Sequence, residues 1–184
     1  MSKILIVYGT KDGHTAKIAE RIGEVVRQRG YQADVNNALQ IRPTFSFEGY
    51  SGILVGASIQ MGCYSCAARR FITRYKSQLE TVPSAFFSVS ITDASKTPEE
   101  RSKLDSYIQG LFKKTGWHPD TVGRFAGAIP FTRYGFWKRF LMKNNVLLKG
   151  AADMSHDYEF TDWDQVVKFG NDFIDQYQAA DLPS

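Results

Sequence analysis

Residues 8–19 read YGTKDGHTAKIA, a strand end running directly into a helix start. Gly9 and Gly13 let the backbone turn closely, Thr10 and Thr15 offer hydroxyls, and a helix beginning near His14 aims unpaired N–H groups into the turn. Such a helix start attracts an anion by about 0.3 to 1 kcal/mol from its dipole alone, and more where direct hydrogen bonds form. A phosphate group is the expected guest, with Thr10, Lys11, Asp12, Gly13, His14 and Thr15 as its candidate cradle. Within it Asp12 suits the turn better than the guest, since its charge opposes a phosphate. Neither the G-x-G-x-x-G of a dinucleotide site nor the Gly-Lys-Ser/Thr end of a nucleotide-hydrolase loop is present. The alternative is an ordinary polar strand-to-helix turn.

Two more stretches carry small and polar residues where strands should end. GASIQMGCY (56–64) offers Ser58, Ile59, Gln60, Met61, Gly62 and Tyr64, and SVSITDASK (88–96) offers Ser88, Val89, Ser90, Ile91 and Thr92. A pair of flanking loops of this make can sandwich a planar ring beside the phosphate turn, although Ile59, Met61 and Ile91 could equally pack onto the core.

A third segment, RYGFWKRFLMKNNVLLKG (133–150), sits in an acid-free block between Asp120 and Asp153 that holds Arg124, Arg133, Lys138, Arg139, Lys143 and Lys149. Wound as a helix it places Phe136, Trp137, Phe140, Leu141, Leu147 and Leu148 on one arc and the cations on the rest. A face of that kind suits a membrane surface, where anionic headgroups attract each nearby Lys or Arg by about 1 kcal/mol. The plainer alternative is a covering helix with a solvated basic face. No nucleic-acid motif accompanies the charge, so nucleic acid is not an expected partner. CYSC (63–66) has redox spacing but lacks the redox flanks, and with two cysteines in the chain no zinc set is completed, so no metal site is expected. His118 before Pro119 reads as a turn residue, and His156 has no companion nucleophile.

The elements that must position these loops alternate. Apolar runs at 3–8, 52–58, 84–90 and 121–129, and an alternating run at 31–37, read as strands. Between them lie helical patterns: Ile18, Ile22, Val25 and Val26, then 67–79, then a helix capped by Thr97 with Pro98 in its first turn and reaching about Lys114. Residues 157–160 could continue the last strand, and Thr161 is expected to cap a final helix with Trp163, Val166, Val167 and Phe173 inside. Strands alternating with helices imply an α/β fold, a doubly wound parallel sheet of five strands in the order 2-1-3-4-5, whose ligand crevice lies at the carboxyl ends of strands one and three. At 184 residues, 43% hydrophobic and 23% charged, one domain over 1–184 is expected, with the basic aromatic insert at about 130–156. The five-residue apolar run near the start is too short for a signal peptide, and a cytoplasmic protein is expected.

TKDGHTAKIA, VGASIQMGCY, PSAFFSVS, FAGAI, RYGFWKRFLMK and YEFTDWDQV together resemble the flavodoxin-type, quinone-dependent protoporphyrinogen IX dehydrogenases of bacteria, over essentially the whole chain. The resemblance implies a flavodoxin-like fold, noncovalent FMN held by the phosphate loop and the two ring-flanking loops, and electron transfer from protoporphyrinogen IX to a membrane quinone, menaquinone or ubiquinone. It also implies a place in heme biosynthesis, on the cytoplasmic face of the inner membrane. Arg133, Tyr134, Trp137, Lys138, Arg139, Phe140 and Lys143 of the insert become candidates for substrate or membrane contact. The chain departs from the family pattern at Cys63, at Cys66 and in NNVLLKGAADMS. The competing expectations are a non-enzymatic flavodoxin electron carrier, whose usual acidic surface the basic segment opposes, and a flavin-dependent nicotinamide:quinone reductase. The proton acceptor is not indicated by any residue pattern.

Overall fold

The computed structural model describes residues 2–10, 13–60, 62–94, 97–129 and 158–180. Strands β1 (Lys3–Gly9), β2 (Gln32–Asn37), β3 (Tyr50–Gln60), β5 (Ser84–Ser90) and β6 (Thr121–Ala126) form a parallel sheet in the order β2-β1-β3-β5-β6. Helices α1 (His14–Gln28), α2 (Cys66–Arg74), α3 (Lys76–Leu79), α4 (Pro98–Thr115) and α5 (Trp163–Ala180) accompany it. Counted along the parallel sheet, this is the expected 2-1-3-4-5 order.

Alternation along the strands explains the two layers. In β1, Leu5 and Val7 join a core with Ile53, Val55, Phe71, Ile72, Phe86, Ile108 and Trp117, under α2 and α4. Ile4 and Ile6 face the other way, into a core with Ile18, Ile22, Val26, Phe87, Phe169 and Phe173, under α1 and α5. A strand covered on both faces can be apolar at nearly every position, as β1 is, and β5 is buried along its whole length although Ser84, Ser88 and Ser90 are polar. The register carries Gly9 opposite Ala57, Ser58 opposite Val89 and Ser90 opposite Ala126, so the strands' carboxyl ends share one edge.

The helices obey their end signals. Thr97 accepts the Glu100 N–H on its hydroxyl, Pro98 opens α4, and Gly116 closes it in the left-handed region at φ 69°. Arg29, at the end of α1, donates to Asn171 Oδ1 at 3.0 Å and Asp175 Oδ1 at 2.6 Å, tying α1 to α5.

Several local expectations are corrected. The helix expected at 67–79 breaks into α2 and α3 at Tyr75, whose backbone leaves the helical region at φ −113° and ψ 23° and whose hydroxyl donates to the Arg42 carbonyl, 2.9 Å away. β3 runs past residue 58 and turns back through β4 (Cys63–Tyr64), a hairpin hidden in a loop-like composition. The strand expected over 121–129 breaks at Gly127, after which β7 (Ala128–Ile129) pairs antiparallel with β8 (Tyr158–Glu159) in a separate ribbon. Residues 157–160 therefore do not continue the sheet strand. Asp162, not Thr161, caps α5: its carboxylate accepts the Gln165 N–H at 3.1 Å and its carbonyl the Val166 N–H at 3.2 Å. Val167 is half-buried, while Phe169 takes the inner position the pattern did not name. The insert expected at about 130–156 lies outside the described residues.

The centre of the sheet leaves no room for a side chain at Gly56, where a Cβ would fall 2.0 Å from Cζ of the fully buried Phe87. Gly56→Ala is expected to lower the unfolding free energy by about 2 to 3 kcal/mol, read as a lower urea midpoint with unchanged slope.

Candidate cofactor-binding site

The shared carboxyl edge of the sheet carries a cleft lined by Thr10, His14, Thr15, Ser58, Ile59 and Ile91, together with Val89, Ser90, Gly127 and Ala128. Its empty space is about 370 Å³, counting the solvent at its mouth. The phosphate turn forms one end. Gly13 takes φ 88°, a left-handed conformation strained for residues with side chains, and its N–H donates to Thr10 Oγ1 at 3.1 Å. That bond folds the turn so that α1 starts at His14, with no acid in its first turn to compete for an anion.

Two hydroxyls define what the cleft lacks. Thr15 Oγ1 and Ser58 Oγ are buried from solvent and have no hydrogen-bond partner among the described residues. An unsatisfied buried polar group costs about 1 to 3 kcal/mol, so the fold carries a debt here that a guest with hydrogen-bonding atoms would remove. One hydroxyl sits on the first turn of α1 and the other at the end of β3, so a phosphate end and the body of one guest can be met together. Ile59, Val89 and Ile91 supply apolar surface beside them. This donor set fits a flavin phosphate.

His14 locks one side. Thr161 Oγ1 donates to the Ala126 carbonyl at 2.7 Å, so it must accept from His14 Nε2, 2.6 Å away, which assigns the proton to that nitrogen. Nδ1 then faces Glu159 Oε2 at 3.8 Å, and Trp163 Nε1 holds the same carboxylate at 2.8 Å. Burial pushes the His14 pKa below its ordinary value, against the attraction of Glu159 and with help from Lys17.

The other proposed positions fall differently. Ser88 is fully buried and accepts the Tyr64 hydroxyl at 2.9 Å, so both side chains belong to the α2/α4 side of the sheet and not to the cleft. Burial raises the Tyr64 pKa well above its ordinary range, with the bond to Ser88 opposing. Gly62 turns the β3–β4 hairpin at φ 82°. Gln60 ends β3 and Thr92 lies in the single 3-10 turn (Ile91–Ala94) after β5. Lys11, Asp12 and Met61, and the insert candidates Arg133, Tyr134, Trp137, Lys138, Arg139, Phe140 and Lys143, lie outside the described residues. Gly127 and Ala128 line the cleft without having been singled out in the sequence; the available signal was a glycine interrupting an apolar strand.

Residues 5–155 match the family model described as a flavodoxin domain. Over 172 residues the chain is 33% identical to protoporphyrinogen IX dehydrogenase (quinone) of Escherichia coli strain K12, covering 92% of this chain and 93% of that protein. The chain belongs to the flavodoxin-type protoporphyrinogen IX dehydrogenase family. A second protein of that name in the family, from Leishmania major, is 32% identical over 173 residues, covering 93% of this chain and 74% of that protein. Among solved structures, a short-chain flavodoxin associated with a bacterial microcompartment superposes with a TM-score of 0.60, over 96% of this chain and 99% of that one, at 14% identity. That likeness is one of fold, and it agrees with the sheet order and with the family's flavin-binding architecture.

Beyond the cleft, the 3-10 turn brings Asp93 beneath the edge, with Oδ2 buried and unpartnered among the described residues. Burial pushes its pKa from 3.8 up to about 6; Arg124 and Arg101 oppose the shift and Asp105 adds to it. Arg124 is itself paired with Asp105, which limits its help. The folded state binds the Asp93 proton more tightly than the unfolded chain, so this contribution to stability is full below about pH 4 and is lost as pH rises through about 6.

Two outcomes follow from these unpaired groups. Thr15→Val is expected to stabilise the flavin-free protein by about 1 kcal/mol in urea denaturation while weakening flavin binding about tenfold in a fluorescence titration. Asp93→Asn should raise stability at about pH 8 by roughly 1 kcal/mol, discounted for the partial exposure of the group, and leave it unchanged at about pH 3.

Proposed function

We propose that this chain oxidises protoporphyrinogen IX to protoporphyrin IX, with FMN as its flavin and a membrane quinone, menaquinone or ubiquinone, as electron acceptor. The observation that carries the reading is the pair of buried, unpartnered hydroxyls of Thr15 and Ser58 in the cleft of a family member. FMN is favoured among flavins because the turn offers one helix start and a short run of hydroxyls, a cradle for a single phosphate. A bound flavin would supply the two-electron redox chemistry that links porphyrinogen to quinone.

The protein's part is position and environment. Thr15 and the first-turn N–H groups of α1 hold the phosphate, Thr10 shapes the turn by accepting from Gly13, and Ser58 hydrogen-bonds the body of the cofactor. Ile59, Val89 and Ile91 keep water from the ring faces, and His14, fixed by Thr161, closes the phosphate end. Lys11, Asp12, Gly13, Gln60, Met61, Gly62, Ser90 and Thr92 complete the proposed flavin loops, whereas Tyr64 and Ser88 support them from the core.

The basic aromatic segment containing Arg133, Tyr134, Trp137, Lys138, Arg139, Phe140 and Lys143 is proposed to meet substrate propionates and anionic lipid at the cytoplasmic face of the inner membrane. Its charge and aromatic content support this. Among the described residues no helix is long and apolar enough to cross a membrane, which leaves surface attachment as the proposed mode.

Anaerobic mixing of the FMN-loaded protein with protoporphyrinogen IX is expected to bleach the flavin absorbance, and added menaquinone or ubiquinone to restore it. An unbleached flavin would remove the dehydrogenase reading in favour of an electron carrier. Bleaching by a nicotinamide donor alone would favour the reductase. Lys138→Glu with Lys143→Glu should reduce binding to anionic liposomes about tenfold or more at low salt, with the difference shrinking as salt rises.

A further inference from the structure

The β3–β4 hairpin has two sides, and the cofactor cleft uses one of them. Ser58 and Ile59 face that cleft, while Gly62, Cys63 and Tyr64 wall a second groove completed by Arg69 of α2 and by Tyr107 and Lys114 of α4. Ile59 stands directly across the antiparallel ladder from Tyr64. Residues so paired have β-carbons about 5 Å apart, so the groove and the cleft are separated by the width of one hairpin.

The groove is charged with one sign. Arg69 and Lys114 line it, no carboxylate does, and neither cation has an ion-pair partner among the described residues. The nearest described partner of Arg69 is the Cys66 sulfur, 4.0 Å from Nη2. Tyr107 and Lys114 lie seven positions apart on α4, on one face of the helix, with Gly110 between them. A Cβ built at Gly110 would meet nothing within 4 Å, so the helix backbone lies open beside the Tyr107 ring. The result is a slot with cations in its walls and an aromatic flank. On the measure that gives about 370 Å³ for the cofactor cleft its empty space is about 640 Å³, counting the solvent at its mouth, and Arg69 and Lys114 suit it to an anionic arm.

We propose that this groove holds a carboxylate arm of the tetrapyrrole, paired with Arg69 and Lys114 and flanked by Tyr107, while the macrocycle lies over the hairpin toward the cofactor cleft. The proposal rests on the porphyrinogen reading of the site and adds a second anchoring point, built from described residues of α2 and α4. Both cations reach solvent, which tempers each contact, but a paired carboxylate within a walled slot retains a net gain that an ester cannot make.

The test is a fluorescence titration of the flavin-loaded protein with protoporphyrin IX and, in parallel, with its dimethyl ester. Arg69→Gln with Lys114→Gln should weaken binding of the diacid about tenfold and flatten its salt dependence, and should leave ester binding within about twofold. Gly110→Trp, which fills the slot and keeps both charges, should weaken the diacid to a similar degree. Diacid binding unchanged in both variants, or equal losses for diacid and ester in the double variant, would overturn the assignment. Vesicles of phosphatidylglycerol form the control arm. If the double variant lost vesicle binding while keeping porphyrin binding, the groove would belong to lipid headgroups and the proposal would fall. The two readings fail separately: charge-dependent diacid binding without porphyrinogen oxidation would remove the activity and keep the groove, and oxidation with wild-type binding in both variants would do the reverse.

Discussion

A parallel sheet covered on both faces leaves its polar business to its ends. Each strand interior must be apolar on both sides, so Leu5 and Val7 enter one core while Ile4 and Ile6 enter the other. A hydroxyl inside a strand needs a partner, as Ser88 has in Tyr64, and the unpartnered ones among the described residues lie where the strands stop. The register brings those stops to one edge, and the cleft forms there because every element that could fill it has just ended. Site and fold are thus one consequence of how the chain satisfies its backbone groups between two apolar layers.

The same edge shows where stability has been given up. Thr15 Oγ1, Ser58 Oγ and Asp93 Oδ2 are three buried polar atoms without partners, clustered around or beneath the carboxyl ends. Elsewhere the described polar side chains are well used: Ser88 serves Tyr64, Asp120 accepts the Ser84 N–H, and Arg29 spans two acceptors on α5. Unmet hydrogen bonding concentrated at one place is what a ligand-dependent fold looks like without its ligand, since each bond supplied by the guest removes a cost that the protein otherwise bears. Trp117 Nε1 is also unpartnered, but it is enclosed by Phe86 and Phe112 far from the cleft, and nothing in the structure explains it.

How much of this the sequence displayed depends on whether a signal is local. Strand identity is legible in apolar runs alternating with helical spacing, because both periods are set by neighbours a few residues away, and the order follows from the doubly wound pattern that five such units fit. The phosphate turn was visible for the same reason: glycine, threonine and a helix start stand in one stretch of chain. What stayed hidden was long-range. That Ser88 and Tyr64 turn toward each other and away from the cleft is a matter of strand parity and of a hairpin, β4, only two residues long. Thr161 was read as a helix cap on its type and position, but a tertiary partner claimed its hydroxyl and the next residue, Asp162, took the cap. Gly127 looked like part of a strand until the ribbon it starts was seen to pair with residues some thirty positions later.

That ribbon has a further consequence. Ala128 is paired with Glu159 and Ile129 with Tyr158, so the chain leaving the sheet region at residue 129 and the chain returning at 158 meet as neighbours. The Phe160 N–H donates to the Gly127 carbonyl and the Thr161 hydroxyl to the Ala126 carbonyl, extending the closure by two more links. The ribbon therefore acts as a socket, with entry and exit fixed side by side. Lengthening what is plugged into it costs little, about 0.6 kcal/mol for each doubling of a flexible loop. Because residues 127–129 and 158–161 hold each other by their own bonds, a protein engineer could vary the length of chain between them without disturbing either core layer.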